Sequence, residues 1–374
     1  GHTISVNVNT ALISDLVVDA GATLNVLNIA SSTLSIDGTI TVDGDLINNG
    51  KIDLIAPYAF TIGAAGTYTH NPRANVSSDE TIFENGIESF ANTSTLIIQK
   101  WNDLSVPLGD PNKVTGNFGN VILSVNGSWD QDGRFAPARI RGDLSITNGE
   151  VVMDDGTGNS NNLSLNNVTI TGTANVIFQA GANRSLTLTC NNFTDNSTSA
   201  SFSRVMNLSY GNLTWNVNGD LSFNHKFFVI EGTLSEPASA TINVAGDFYI
   251  SGDSVSILRQ VSGALNLNVT GNTTISGNPS YVRFMEGNTG IMTFNTNDFN
   301  IGGGNNNILV GGNPLIPLPT AGVFVNIGND LNVTGNSTTY IVNSDININR
   351  TKITIGRNFN TSVVGANFIA ANTN

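Results

Sequence analysis

The sequence predicts an all-β protein built as a single-stranded parallel β-helix, one solenoid of about 14 rungs with roughly 25–28 residues in each. Three observations lead there. Apolar residues alternate with polar ones along most of the chain, a short phrase built on Asp or Asn recurs at near-regular intervals, and the composition favours strands and corners over helices.

The alternation has period 2. Thr3-Ile4-Ser5-Val6-Asn7-Val8, Leu163-Ser164-Leu165, Leu265-Asn266-Leu267-Asn268-Val269 and Asp345-Ile346-Asn347-Ile348 each place one row of side chains inward and one outward. No stretch carries a 3.6-residue stripe. The longer recurrence is Gly or Asn, then Asp or Asn, then an apolar residue, as at Asp143-Leu144, Asp220-Leu221, Asp247-Phe248, Asp298-Phe299, Asp330-Leu331 and Asn358-Phe359. From Asp143 onward its steps are 24, 25, 28, 27, 25, 26, 32 and 28 residues. That is too short for a propeller blade or for a string of immunoglobulin-like sandwiches, and no helix accompanies it, whereas three short strands with their corners fill it. At about 4.8 Å per coil the stack would extend roughly 65 Å. Gly at the corner is expected to supply a positive φ, and the Asx side chain to bond its own downstream backbone.

The composition agrees. Only 11% of the 374 residues are charged, against a usual quarter, while Asn accounts for 56 residues and Gly for 39. Asn, Gly, Thr and Val are indifferent or poor helix formers. A net charge of −13 has the wrong sign for binding nucleic acid. No run reaches the roughly 18 apolar residues of a membrane helix. The single cysteine, Cys190, sits in the alternating Leu186-Thr187-Leu188-Thr189-Cys190 and reads as a small buried or edge residue rather than a nucleophile. Abundant Asn, few Lys and one Cys suit an extracellular setting. The chain opens inside a strand pattern, which suggests a fragment or a processed subunit of a longer polypeptide.

One continuous solenoid over residues 1–374 is therefore expected, with loop insertions near 70–80, 99–113, 129–139, 154–162 and 303–320. Each follows a corner, so the loops would gather on one side. Trp101 and Trp129 lie about one rung apart. With Asp103 and Arg134 beside them they form a candidate aromatic step for a sugar ring. Both indoles would serve equally well as lids on the core beneath a loop.

The chemistry-bearing patterns are sparse. A polysaccharide lyase or glycosidase on this fold is the competing reading, with Asp154-Asp155, Asp298 and Arg350-Thr351-Lys352 as its nearest carboxylate and basic phrases. Gly-His-Gly does not occur, and Asp298 is already explained as a corner. His2, His70 and His225 stand far apart with no Cys beside them, so zinc is not expected. Corner oxygens would suit calcium, but the Gly-Gly-x-Gly-x-Asp repeat is missing, and no cofactor is expected. Thr171-Gly172-Thr173 and Thr187-Leu188-Thr189 do not recur at one rung position, which sets ice binding aside.

The opening Gly1-His2-Thr3-Ile4-Ser5-Val6-Asn7, Gly21-Ala22-Thr23-Leu24-Asn25-Val26 and Ile40-Thr41-Val42-Asp43-Gly44-Asp45-Leu46 resemble a module of large secreted surface proteins of Bacteroidota. Those are adhesin-like β-helix proteins of the type IX secretion kind. The resemblance implies a right-handed coil and a cell-surface location, although the upstream Trp-rich segment and C-terminal sorting domain of that group are not in this sequence. The expected function is an extracellular structural or adhesive β-solenoid. Its partners would be further copies or neighbouring domains joined end to end, and a glycan or another surface.

Overall fold

The computed structural model describes residues 1–55, 59–73, 88–100, 118–130, 140–153, 161–178, 185–201, 203–206, 211–231, 239–252, 254–259, 263–277, 281–286, 290–302, 307–310, 322–334, 338–343, 351–361 and 367–372. Among these residues there is no helix, and every strand pairing is parallel. The protein is a β-solenoid. It divides into two compact units: Gly1–Gly156 with Leu165–Asn167, and Thr157–Ser164 with Val168–Asn374.

In the second unit three ladders of parallel strands form the faces of the coil. The first face runs from Asn161–Ser164 through Leu186–Cys190, Asn212–Val217, Ser239–Val244, Leu265–Val269, Ile291–Thr296 and Gly322–Ile327 to Thr351–Ile355, an eight-stranded sheet. The second is made of three-residue strands, among them Phe193–Asp195, Leu221–Phe223, Phe248–Ile250, Thr273–Ile275, Phe299–Ile301, Leu331–Val333 and Phe359–Thr361. The third includes Ser203–Met206, Phe227–Glu231, Ser254–Arg259, Tyr281–Glu286 and Thr338–Asn343.

In the first unit the longest ladder joins Thr3–Val6, Thr23–Val26, Asp45–Asn48, Thr67–His70, Thr95–Ile98, Asn120–Asp130 and Leu144–Met153. Leu16–Val18, Thr39–Val42, Ala59–Ile62 and Glu88–Phe90 form a second, and Thr33–Ile36 pairs with Lys51–Leu54.

The rung count differs from the expected 14 or so. Turns with a strand on all three faces number eight in the second unit, and among the described residues of the first they are confined to Thr23–Val42 and Asp45–Ile62. Corner spacing counts each return of the chain to one face. It does not reveal that Asn120–Asp130 and Leu144–Met153 are long strands of 11 and 10 residues where three short ones were expected.

Because paired strands are parallel and in register, each inward position stacks on its own counterpart. Leu188, Trp215, Ile242, Leu267, Phe294 and Val325 form one such column, and all are fully buried. Trp215 meets the edge of Phe193 at 4.9 Å between centroids, and Phe223 stacks on Phe227 at 4.2 Å. Aromatic contacts of this kind add about 0.5–1.5 kcal/mol each beyond the area they bury. Cys190 is fully buried in the same core, as its alternation predicted, and burial pushes its thiol up to about 12.

Candidate functional site

The corners are braced between rungs. In the second unit the side-chain Oδ1 of each corner Asx accepts the backbone N–H of the next: Asn192 from Asp220 at 2.8 Å, Asp220 from Asp247 at 2.8 Å, and Asp247 from Asn272 at 2.7 Å. Asn272 then accepts from Asp298 at 3.2 Å, Asp298 from Asp330 at 3.0 Å and Asp330 from Asn358 at 3.2 Å. In the first unit Asn120 accepts from Asp143 at 3.0 Å, and Asp143 from Asn167 at 3.2 Å. The expected bond of each Asx to its own downstream backbone is therefore replaced by a bond to the rung above.

The corner glycines also work differently from expectation. Among the described residues the positive-φ glycines are Gly21, Gly127, Gly149, Gly172 and Gly277, and none of these precedes a corner Asx. At Gly219, Gly246 and Gly271 an added Cβ would overlap the Oδ1 of Asn192, Asp220 and Asp247 respectively. These residues are glycine because the brace from the rung below occupies the place of a side chain.

The first face of the second unit presents two outward rows. One runs Thr187, Thr214, Thr241, Asn266, Thr293. The other is an amide ladder in which Asn243 Nδ2 donates to Asn216 Oδ1 at 2.9 Å, Asn268 to Asn243 at 2.9 Å, Asn295 to Asn268 at 2.7 Å, and Asn326 to Asn295 at 2.8 Å. Thr187-Leu188-Thr189 does have in-register successors, but the second Thr becomes Asn from Asn216 onward. Where this face turns toward the corner, Asn216, Asn243 and Asn268 line a groove of about 270 Å³ with Val217, Ala245 and Thr270 among its other walls. The signal was present in the sequence as Thr214-Trp215-Asn216, Thr241-Ile242-Asn243, Asn266-Leu267-Asn268 and Thr293-Phe294-Asn295.

No family model, curated protein or solved structure matches this chain.

Several polar side chains lie inside the coil, His70 and Asp195 among them. Tyr68 and His70 are consecutive inward residues of Thr67–His70, both fully buried, with Tyr68 Oη 3.0 Å from His70 Nδ1. Burial, followed by the positive charge of Lys100, lowers the imidazole to about 3. Asn48 stacks in register against His70 and is fully buried. In the second unit buried Asp195 accepts the Ser197 N–H at 2.9 Å. Its carboxyl is raised by burial, against the lowering influence of Ser197, Ser203 and His225.

Of the residues singled out from sequence, Trp101, Asp103 and Arg134 lie outside the described residues. Trp129 belongs to Asn120–Asp130, where its backbone registers with Val151. The Asp154-Asp155 pair, Arg350 and most of the expected loop insertions also fall outside the described residues. Asp298 is a corner brace, and Lys352 is exposed on Thr351–Ile355. No cluster of three or more His, Cys, Asp or Glu side chains suited to a metal occurs among the described residues. No helix among them is long and apolar enough to cross a membrane.

Proposed function

We propose that this protein is an extracellular, non-enzymatic structural or adhesive solenoid whose coils are joined end to end to further β-rungs. The observation that carries the reading is the parallel, in-register stacking of one rung on the next, of which Thr3–Val6 is one member. Its described pairing is with Thr23–Val26 alone, and Ile4 is 64% exposed at the position where its ladder neighbour Leu24 is 8% exposed. A parallel strand edge with an exposed apolar side chain such as Ile4 is a template for another strand. A rung from a second copy, or from further chain, would pair the edge and bury Ile4 by extending the same ladder. Contacts of this head-to-tail kind propagate into a filament.

Inter-rung bracing supports a structural role. Each corner and each amide of the Asn ladder ties one coil to the next, and such bonds contribute about 0.5–1.5 kcal/mol each, more where a carboxylate accepts. A stack stiffened in this way can display one surface motif repeatedly along its length.

Electron microscopy of the concentrated protein tests the assembly. Filaments are expected, and Ile4→Lys should shorten them. Short, dispersed particles at high concentration would rule the end-to-end reading out. Release of reducing ends or unsaturated products from polysaccharides, abolished by Asp154→Ala or Asp298→Ala, would overturn the non-enzymatic reading.

A further inference from the structure

We infer that the groove beside the Asn216–Asn243–Asn268 amides is a docking site for an uncharged linear polysaccharide lying along the stack. The inference rests on the adhesive reading above and names the ligand class and the residues that would hold it.

The groove walls are Asn216, Asn243, Asn268, Thr270 and the apolar Val217 and Ala245, together with further uncharged residues. No wall residue carries a titratable group, so a uronate, phosphate or sulfate would find no counter-charge, and a net charge of −13 repels polyanions at longer range. An extended peptide would need a free strand edge for its main-chain bonds. Asn212–Val217, Ser239–Val244 and Leu265–Val269 are paired on both sides, so no edge is on offer.

The amides have the capacity a sugar hydroxyl requires. Asn243 donates one N–H to Asn216 and accepts one from Asn268, and Asn268 does the same between Asn243 and Asn295. A primary amide has two N–H groups and two carbonyl lone pairs, so each mid-ladder Asn keeps one donor and one acceptor facing outward. A hydroxyl is both donor and acceptor, and can satisfy the pair at once. The exposed methyl group of Ala245 suits the C–H face of a sugar ring, while the Val217 side chain points into the core and leaves its backbone to the groove.

Periodicity then favours a polymer. Rungs repeat at about 4.8 Å, close to the length of one hexose ring, so successive rings would meet an equivalent amide on each coil. A groove of about 270 Å³ is also smaller than the roughly 300–1,000 Å³ of pockets that engulf small molecules. Shallow contact repeated over three rungs is the mode it permits.

The test is calorimetric titration of the whole protein with cellohexaose, mannohexaose and laminarihexaose, using hexagalacturonate as the charged control. At least one neutral hexasaccharide should bind with Kd below about 1 mM, and hexagalacturonate at least about tenfold more weakly. Ala245→Trp and, separately, Thr270→Trp fill the groove from exposed positions without touching the amide ladder. Each should weaken binding at least about tenfold with an unchanged melting temperature. Absence of binding by all three neutral probes, or full binding by both folded variants, would overturn the assignment. Beads coated with wild-type protein or Ala245→Trp separate this failure from failure of the adhesive reading. Equal adhesion of both to polysaccharide films removes only the groove, whereas wild-type beads that adhere to no film remove the adhesive reading itself.

Discussion

Acid should loosen the first unit through one residue, His70. Its ring is fully buried beside the Tyr68 hydroxyl, and burial lowers its pKa from 6.5 to about 3. The unfolded chain therefore binds a proton more readily than the folded one. The associated stability is complete above the unfolded value of about 6.5 and is lost progressively as pH falls toward 3. Each pH unit inside that window costs about 1.4 kcal/mol, so the loss reaches about 2 kcal/mol at pH 5. That is a sizeable part of the 5–15 kcal/mol that holds a typical domain together.

The clean comparison is with His70→Gln, which keeps an acceptor for the Tyr68 hydroxyl and cannot titrate. Other carboxylates respond to acid in both proteins and cancel in the difference. Amide exchange over Thr67–His70 and its ladder neighbours Asp45–Asn48 and Thr95–Ile98, read by mass spectrometry, follows this unit without requiring the whole chain to unfold in one step. Between pH 7 and pH 5 the wild type should lose about 2 kcal/mol of opening free energy relative to the variant. Parallel pH profiles for the two proteins would refute the burial argument.

The remaining predictions concern the second unit. Gly246→Ala forces a Cβ onto the Asp220 Oδ1 that braces the next corner, and should cost about 2–4 kcal/mol in urea unfolding, from overpacking and loss of a charged hydrogen bond. Gly277→Ala overlaps no side-chain oxygen, meets the Ser251 carbonyl oxygen only at 3.3 Å, and pays mainly for its φ of +76°, about 1–2 kcal/mol, so equal losses would count against the brace. Asp195 has a raised carboxyl, so the unfolded chain ionises first and the folded state is penalised as pH rises above about 4. Asp195→Asn should therefore melt higher than the wild type at pH 7, with the gap closing toward pH 3; a lower melting point at pH 7 would contradict this. Cys190, buried and held near 12, should react with an aromatic disulfide reagent only after unfolding, and prompt labelling of the folded protein would show that the core admits reagent.

The coil was legible because two independent periods agree. Alternation placed Leu188, Ile242 and Leu267 inward, and the Asx phrase located the corners from Asp143 to Asn358. The working chemistry of those corners was not legible. Local turn rules describe an Asp bonding its own backbone, whereas the bond that forms spans 23–32 residues and exists only once coils stack. For the same reason Gly246 reads as a flexible residue in sequence and as a steric necessity in the fold. The amide ladder could have been read from Thr-x-Asn, but a search for Thr-x-Thr passes over it. Asn48, His70 and Asp195 occupy inward positions of strands, and nothing in a period-2 pattern announces that a polar residue there is buried.

Stacking also explains why the corners mix Asp with Asn. Corner oxygens on successive rungs repeat at about 4.8 Å, and two carboxylates at that separation repel by about 1 kcal/mol even in water-like surroundings. In the second unit the described corners run Asn192, Asp220, Asp247, Asn272, Asp298, Asp330, Asn358, so no Asp has an Asp on both sides. Asn272 breaks what would otherwise be a run from Asp220 to Asp330. Its Oδ1 accepts both the Asp298 N–H and the Asn297 amide at 3.2 Å, roles that a carboxylate fills equally well. Asn272→Asp therefore changes charge while leaving the brace in place. With a like charge on either side it should cost about 2 kcal/mol at pH 7 and low salt. Most of that should be recovered at about 1 M salt, where screening acts over about 3 Å. A deficit that persists unchanged at about 1 M salt would mean that geometry, not charge, selects Asn at this corner.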